Sequence, residues 1–289
     1  MPQEGSRLEK QISIQEALLA STQLQSDTAR LDVECLLCHS MDCDSTFLRT
    51  WPEKTLTSEQ YAHFQALLTR RINGEPIAHI CGTRSFWTLD LFVTPDTLIP
   101  RPDTEVLVET ILDLDLPKQA NILDLGTGTG AIALALASER TEWKVSATDF
   151  STEVVVLAQR NADKHQITNI NIFKSDWFCD IPESRFDLIV SNPPYIEPGD
   201  KHLAEGDLRF EPLSALTAGN KGLADIEHII AQAPMFLNQD GWLVLEHGYD
   251  QAQAIQTLFK RAGYCNIATI QDYGQQDRMT MAQYPLVMI

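Results

Sequence analysis

Phe186-Asp187-Leu188-Ile189-Val190-Ser191-Asn192-Pro193-Pro194-Tyr195 decides how this chain is read. The apolar run has the pattern of a buried parallel strand, and it stops at a rigid polar turn. Two successive prolines fix φ and offer carbonyls without matching N–H groups. Asn192 adds a side-chain acceptor and Tyr195 a flat aromatic face. A loop at the carboxyl end of such a strand is where open α/β sheets bind their ligands. The composition suits a planar –NH2 group. Its two N–H bonds can point at the Asn192 side-chain oxygen and the Pro193 carbonyl, with its conjugated plane against the Tyr195 ring. Acceptors on both hydrogens raise electron density on the nitrogen, which can then attack an electrophile. The competing reading is a Pro-Pro loop that only ends the strand.

Upstream, Leu123-Asp124-Leu125-Gly126-Thr127-Gly128-Thr129-Gly130 sits where a strand turns into a helix. Glycines allow a tight turn and close approach to a ligand, and the helix start offers free N–H groups. Asp149 ends the next strand about 20 residues on, where an acid accepts from ribose hydroxyls in nucleoside-binding sheets. Gly126-x-Gly128-x-x-Ala131 also passes the dinucleotide fingerprint, so NAD is a rival cofactor. Asp124 and the G-x-G-x-G spacing lean toward S-adenosylmethionine, a cation without pyrophosphate whose electrophilic methyl an activated –NH2 would attack. In Ser175-Asp176-Trp177, Asp176 is a candidate acceptor for an adenine amino group and Trp177 a candidate cover for the ring; an ordinary strand-end turn fits equally.

Around these motifs strand and helix alternate from about residue 119. Strands are expected at 122–125, 145–148, 170–173, 186–191 and 242–246, and helices at 130–139, 151–163, 223–236 and 250–262. Two last strands, near 265–271 and 279–287, should pair antiparallel at one edge. The fold class is α/β: a doubly wound, mostly parallel sheet. Residues 192–222 form a long connection, read as a partly structured flap over the site. In Leu98-Ile99-Pro100-Arg101-Pro102-Asp103-Thr104-Glu105, Asp103 or Thr104 is expected to cap the next helix. Arg101 is either a structural ion-pair partner or a site residue. Phe86 to Val93 suggest a hairpin of two short strands.

Residues 11–72 read as helices. Ser13 with Glu16 and Thr57 with Gln60 make capping-box signatures, and a second helix is expected from about Asp27. The expected organisation is a helical substrate-docking domain at 1–82, a hairpin and Pro-rich linker at 83–102, and the cofactor-binding α/β domain at 103–289. Cys35-Leu36-Leu37-Cys38-His39 matches the haem-attachment spacing, but it lies in an apolar-periodic helix where both cysteines serve as small hydrophobes. No metal is expected.

The 289 residues carry 22 Lys and Arg against 40 Asp and Glu, a net charge of −18. Phosphate-tracking proteins need a cationic face, so nucleic acid is disfavoured as a partner. No run approaches the ~18 apolar residues that span a bilayer. The start, Met1-Pro2-Gln3-Glu4-Gly5, lacks the features of a secretory signal. A cytoplasmic monomer with free thiols is expected.

The motifs resemble a known family. The glycine stretch resembles motif I of class I S-adenosylmethionine-dependent methyltransferases. Asn192-Pro193-Pro194-Tyr195 resembles the Asn-Pro-Pro-Tyr motif of amide and exocyclic-amine methyltransferases. With Gly74-Glu75-Pro76-Ile77-Ala78-His79-Ile80, Arg209-Phe210-Glu211-Pro212-Leu213 and Leu245-Glu246-His247-Gly248, the chain is similar to the HemK/PrmC family of release-factor glutamine methyltransferases. That resemblance implies a seven-stranded, Rossmann-like sheet and methylation of the side-chain N5 of glutamine in the Gly-Gly-Gln motif of class 1 peptide release factors. It implies that Gly126, Thr127, Gly128, Thr129 and Gly130 line the methionine part of the cofactor. Asp149 then holds the ribose, Trp177 lies by the adenine, and Asn192 borders both ligands. Asn192, Pro193 and Tyr195 act in catalysis and, with Pro194, hold the glutamine amide. His79, His202 and His247 are assigned no catalytic role. Three rivals are weighed: an N6-adenine methyltransferase acting on DNA or RNA, a non-enzymatic nucleoside sensor, and an NAD reductase. Adenine's –NH2 is also planar and conjugated, so the turn by itself does not separate base from glutamine.

Overall fold

The computed structural model of the chain describes residues 11–182 and 184–285. It divides into two compact units that meet in sequence between Gly82 and Thr83.

In the first unit the helices are α1 (Ile14–Leu18), α2 (Ala29–Met41), α3 (Ser45–Thr50), α4 (Ser58–Ile72) and α5 (Ile77–Cys81). Both capping boxes form as read. Glu16 N donates to Ser13 Oγ at 3.2 Å and Gln60 N to Thr57 Oγ1 at 3.1 Å, with the reciprocal side-chain bonds in place. Helix α2 starts two residues later than expected. Thr28 Oγ1 and Ser26 Oγ bond the Asp32 carboxylate instead of capping the helix. Asp32 also receives Arg71 at 2.8 Å, so this buried acid is paired on three sides. The core of this unit is built from Ile14, Val33, Leu36, Leu37, Phe64, Leu67 and Leu68. Cys35 and Cys38 are free thiols one turn apart on α2. Burial, reinforced by Cys43 and Cys35, pushes the Cys38 thiol up to about 12, which opposes the thiolate that haem or metal chemistry needs.

The second unit opens with the expected hairpin, β1 (Thr83–Phe86) and β2 (Leu89–Phe92). Then follow α6 (Glu105–Leu112), β3 (Asn121–Leu125), α7 (Ala131–Glu139), β4 (Lys144–Asp149), α8 (Thr152–Lys164), β5 (Ile170–Lys174) and β6 (Phe186–Ser191). After two short turns, α9 (Leu213–Leu216) and α10 (Gly219–Gly222), come α11 (Ala224–Gln232), β7 (Leu237–Glu246), α12 (Ala252–Arg261), β8 (Cys265–Gln271) and β9 (Asp277–Gln283). The sheet order is β5-β4-β3-β6-β7-β9-β8. The first five are parallel, and β9 pairs antiparallel with both β7 and β8 at the edge.

Both faces of the sheet are buried, which explains the unbroken apolar strands. Ile122, Leu188, Val190 and Val244 face the side covered by α6 and α7. Leu123, Leu125, Ile189, Leu243 and Leu245 face the side covered by α11 and α12. The expected helix over 223–236 gives way to a 3-10 turn at Ala233–Met235, because Pro234 has no N–H to continue it. Strand β7 starts five residues earlier than the expected 242, through an irregular register opposite Phe186 and Leu188. Strand β9 ends at Gln283, short of the expected 279–287: Tyr284 and Pro285 are not strand, and Leu286 and Val287 lie outside the described residues.

Candidate active site

The chain runs from β3 outward to β5 and then returns to β6 on the other side of β3. Ligands of doubly wound sheets bind at the carboxyl ends where the order reverses. Leu125 lies opposite Ser191 there, and Ser191 Oγ donates to Leu125 O at 2.7 Å. The glycine loop after β3 and the Asn192 turn after β6 therefore leave the sheet side by side. Between them lies a cavity of about 440 Å³.

Gly126, Thr127, Gly128 and Thr129 line it, with Asp149, Trp177, Asn192, Pro193 and Pro194. Gly126 and Gly128 hold φ of +70° and +56°, and a Cβ at Gly126 would stand 3.6 Å from the Trp177 indole. Gly130 is not among the lining residues. Its Cβ would press on Leu134 at 2.9 Å, so its glycine serves helix packing. Asp149 receives Gly128 N and Ser151 N, both at 3.1 Å. Burial still raises its pKa against those N–H groups. Asp96, Asp176 and Asp225 add three more acids, and Arg101 is the one basic residue among the described lining residues. Arg101 is itself paired with the buried Glu211 at 2.5 Å, and Glu211 also receives Ile99 N. Arg101 thus takes both sequence readings, ion-pair partner and site residue. An acid-lined cradle with its single cation neutralised fits a cationic nucleoside and offers little to a pyrophosphate.

Tyr195 is not among the residues lining the cavity. It packs on the α11–α12 side, its hydroxyl donating to Glu246 Oε1 at 3.4 Å, and burial raises its pKa. Thr104 corrects an expectation: neither it nor Asp103 makes a side-chain cap on α6. Its hydroxyl donates to Glu246 Oε2 at 2.7 Å and accepts Asn192 Nδ2 at 3.4 Å. His247 is fully buried, bonded through Nδ1 to Gly248 O and through Nε2 to Thr280, as a structural histidine should be. His202 pairs with Asp200 on the surface.

The flap over 192–222 is closed at its base. Ile196 N donates to Leu216 O and Ala218 N to Ile196 O, both at 3.0 Å. Gly222, at φ +80°, lies so close that a Cβ would sit 2.0 Å from Tyr195 O, and Gln251 Nε2 donates to the same oxygen at 2.9 Å. Pro212, Ser214 and Ala215 from the returning arm line the cavity. Sequence reading missed Phe150, exposed at the rim, as well as Asp225, Gly222 and Gln251. Phe150 had one available signal, its place directly after Asp149.

Asp124 is fully buried beneath the loop. Oδ2 accepts Thr127 Oγ1 at 2.6 Å, while Oδ1 has no hydrogen-bond partner among the described residues. Burial pushes it up to about 7. A carboxyl raised in the folded state supports folding fully below its unfolded pKa and loses that support as pH rises through the folded value. The melting temperature of the ligand-free chain should fall from about pH 5 to about pH 8. Asp124→Asn should make the fall shallower; an identical slope in a calorimetric pH series would remove Asp124 as its source.

Comparison with known proteins agrees with this geometry. Residues 14–82 match the PrmC N-terminal domain family and residues 102–207 the methyltransferase small domain family. The release factor glutamine methyltransferase of Pseudomonas aeruginosa is 52% identical over 268 residues, covering 92% of this chain and 97% of that protein. The Escherichia coli K12 protein of the same name is 52% identical over 267 residues, covering 92% and 96%. Among solved structures, a methyltransferase from Pyrococcus furiosus shares the fold at a TM-score of 0.54 and 21% identity, covering 75% of this chain and 98% of that one. With half its residues identical to such relatives over nearly its whole length, the chain belongs to the release factor glutamine methyltransferase family.

Proposed function

We propose that this protein transfers a methyl group from S-adenosylmethionine to the side-chain N5 of the glutamine in the Gly-Gly-Gln motif of class 1 peptide release factors. The observation that carries the reading is one cavity bordered by both the glycine loop with Asp149 and the Asn192-Pro193-Pro194 turn. The acid-rich lining suits the cofactor's charge. Asp149 would hold the ribose hydroxyls, Trp177 and Phe150 would flank the adenine, and the loop from Gly126 to Thr129 would take the methionine part. When bound, the cofactor supplies an electrophilic methyl on a sulfonium.

The chain's own residues supply alignment and electrostatics. Asn192 Oδ1 and the Pro193 carbonyl accept the two hydrogens of the substrate amide and favour the positive charge that develops on its nitrogen. Pro193 and Pro194 keep these acceptors fixed before substrate arrives. Tyr195, outside the cavity lining, braces the turn from behind through Glu246. No strong base is needed, because a cationic amide loses its proton to water readily.

An adenine acceptor fits the same turn but lacks support elsewhere. The cavity's described lining offers no unpaired cation for a phosphate, and the chain carries −18 overall. The helical unit of residues 11–82 is the proposed docking surface for the release factor. Among the described residues no helix is long and apolar enough to cross a membrane. A cytoplasmic enzyme acting as a monomer is part of the same proposal, the former supported by the proposed substrate.

Mass spectrometry of a release factor incubated with enzyme and S-adenosylmethionine should find one added methyl at the Gly-Gly-Gln glutamine, and none when that residue is Ala. Asn192→Ala should cut turnover far more than cofactor affinity. Comparable transfer to an oligonucleotide would replace this reading with the adenine one.

Asp149→Ala should weaken binding of the demethylated cofactor product by about 1.5–3 kcal/mol, through loss of charge-assisted hydrogen bonds. Unchanged affinity by titration calorimetry would remove Asp149 from the ribose site.

A chain beginning at Thr83 should retain cofactor binding and lose most activity on the folded release factor. Full activity would show that the helical unit does not dock the substrate.

A further inference from the structure

Glu246 ends β7 behind the Asn192 turn, 2% exposed and outside the cavity lining. Its two oxygens serve two hydroxyls, Thr104 at 2.7 Å and Tyr195 at 3.4 Å. A hydroxyl has one hydrogen and otherwise only lone pairs to offer. Once Thr104 gives its hydrogen to Glu246, it can only accept from Asn192. The –NH2 end of Asn192 therefore faces Thr104, as found, and Oδ1 is turned away from it. The two ends of a carboxamide are nearly the same shape, so packing does not choose between them; hydrogen-bond polarity does.

We propose that Glu246 is a positioning residue for amide methylation: through Thr104 it sets Asn192 with its oxygen, not its –NH2, toward the substrate amide, and it anchors Tyr195 at the far end of the same turn. The proposal rests on the reading of Asn192 as acceptor for a substrate –NH2. A flipped Asn192 would set donor against donor and repel the substrate. The polarity is enforced only while Glu246 is an acceptor at both oxygens. A protonated Glu246 carries its own hydrogen, Thr104 can then rotate and donate to Asn192 Oδ1, and both amide orientations become available.

The surroundings hold Glu246 near that balance. Thr104 and Asp103 face it from the turn before α6, Tyr195 from the flap, and Arg278 from β9, where Arg278 is also paired with Asp272 at 3.0 Å. Burial and Asp103 favour the neutral acid, Thr104, Arg278 and Tyr195 the carboxylate, and the group is pushed up to about 7. Turnover should therefore rise with pH as Glu246 ionises.

The test is steady-state methylation of a class 1 release factor across about pH 6 to 9, with melting temperature and calorimetric binding of the demethylated cofactor product measured for each variant. Wild type should show a limb in kcat near the Glu246 pKa, and Glu246→Gln should flatten it. Thr104→Val should lower kcat by about tenfold or more, with KM for the release factor and product affinity shifted by less than about threefold. Thr104→Ser, which restores the hydroxyl, should recover most of the loss. A merely structural hydroxyl would move the melting temperature and leave the pH limb in place. Wild-type kcat in Thr104→Val, or a limb that survives Glu246→Gln, overturns the proposal. If Glu246→Gln does not fold, the Val and Ser pair decides. Failure of the wild-type chain to methylate the release factor is a separate result and overturns the functional reading instead.

Discussion

The parallel pairing of β3 with β6 is the constraint on which the site depends. Leu125 and Ser191 end their strands at the same level, and the Ser191 hydroxyl locks that level to the Leu125 carbonyl. A slip of one residue would exchange Ile189 with Val190 between the two faces of the sheet. Both faces are packed, so the slip would expose one apolar set and crowd another. The two cores thus hold a register, and the register brings a glycine loop and a proline turn to the same mouth.

The charge of the site follows a consistent logic. Four aspartates border the cavity, and its one described cation is tied to Glu211. Two further acids, Asp124 and Glu246, sit fully desolvated behind the two loops. A positively charged ligand gains from the bordering acids directly. The buried pair instead fixes hydroxyl directions, Thr127 on one side and Thr104 on the other. Acids at the rim act on charge, and acids behind it act on geometry.

Much of this was legible in the sequence, because it is written locally. Period and composition gave the alternating strands and helices, and the capping boxes at Ser13 and Thr57 lie within four residues of chain. The glycine loop and the Asn192 turn are contiguous motifs. What escaped is what depends on distant partners. Thr104 lies 88 residues from Asn192 and 142 from Glu246, and locally it looks like a helix cap. Glu246 looks like a strand end, and Gly222 like a loop glycine with no reason to be one. Only the fold shows that a Cβ there has no room beside Tyr195. The early start of β7 was hidden because Asn238-Gln239-Asp240-Gly241 has the composition of a turn.

The closed base of the flap has a consequence for how such an enzyme can diverge. The excursion leaves at Ile196 and is clasped again at Leu216 to Ala218, with Gly222 and Gln251 sealing Tyr195 below. The entropy of closing a loop grows only with the logarithm of its length, about 0.6 kcal/mol for each doubling. Residues added or removed between 197 and 206, short of Glu211 and its pairing with Arg101, therefore cost little and transmit little through the clasp to Asn192. The outer part of the flap can be rewritten to suit the contours of a particular protein substrate, while the Asn192 turn stays where it is.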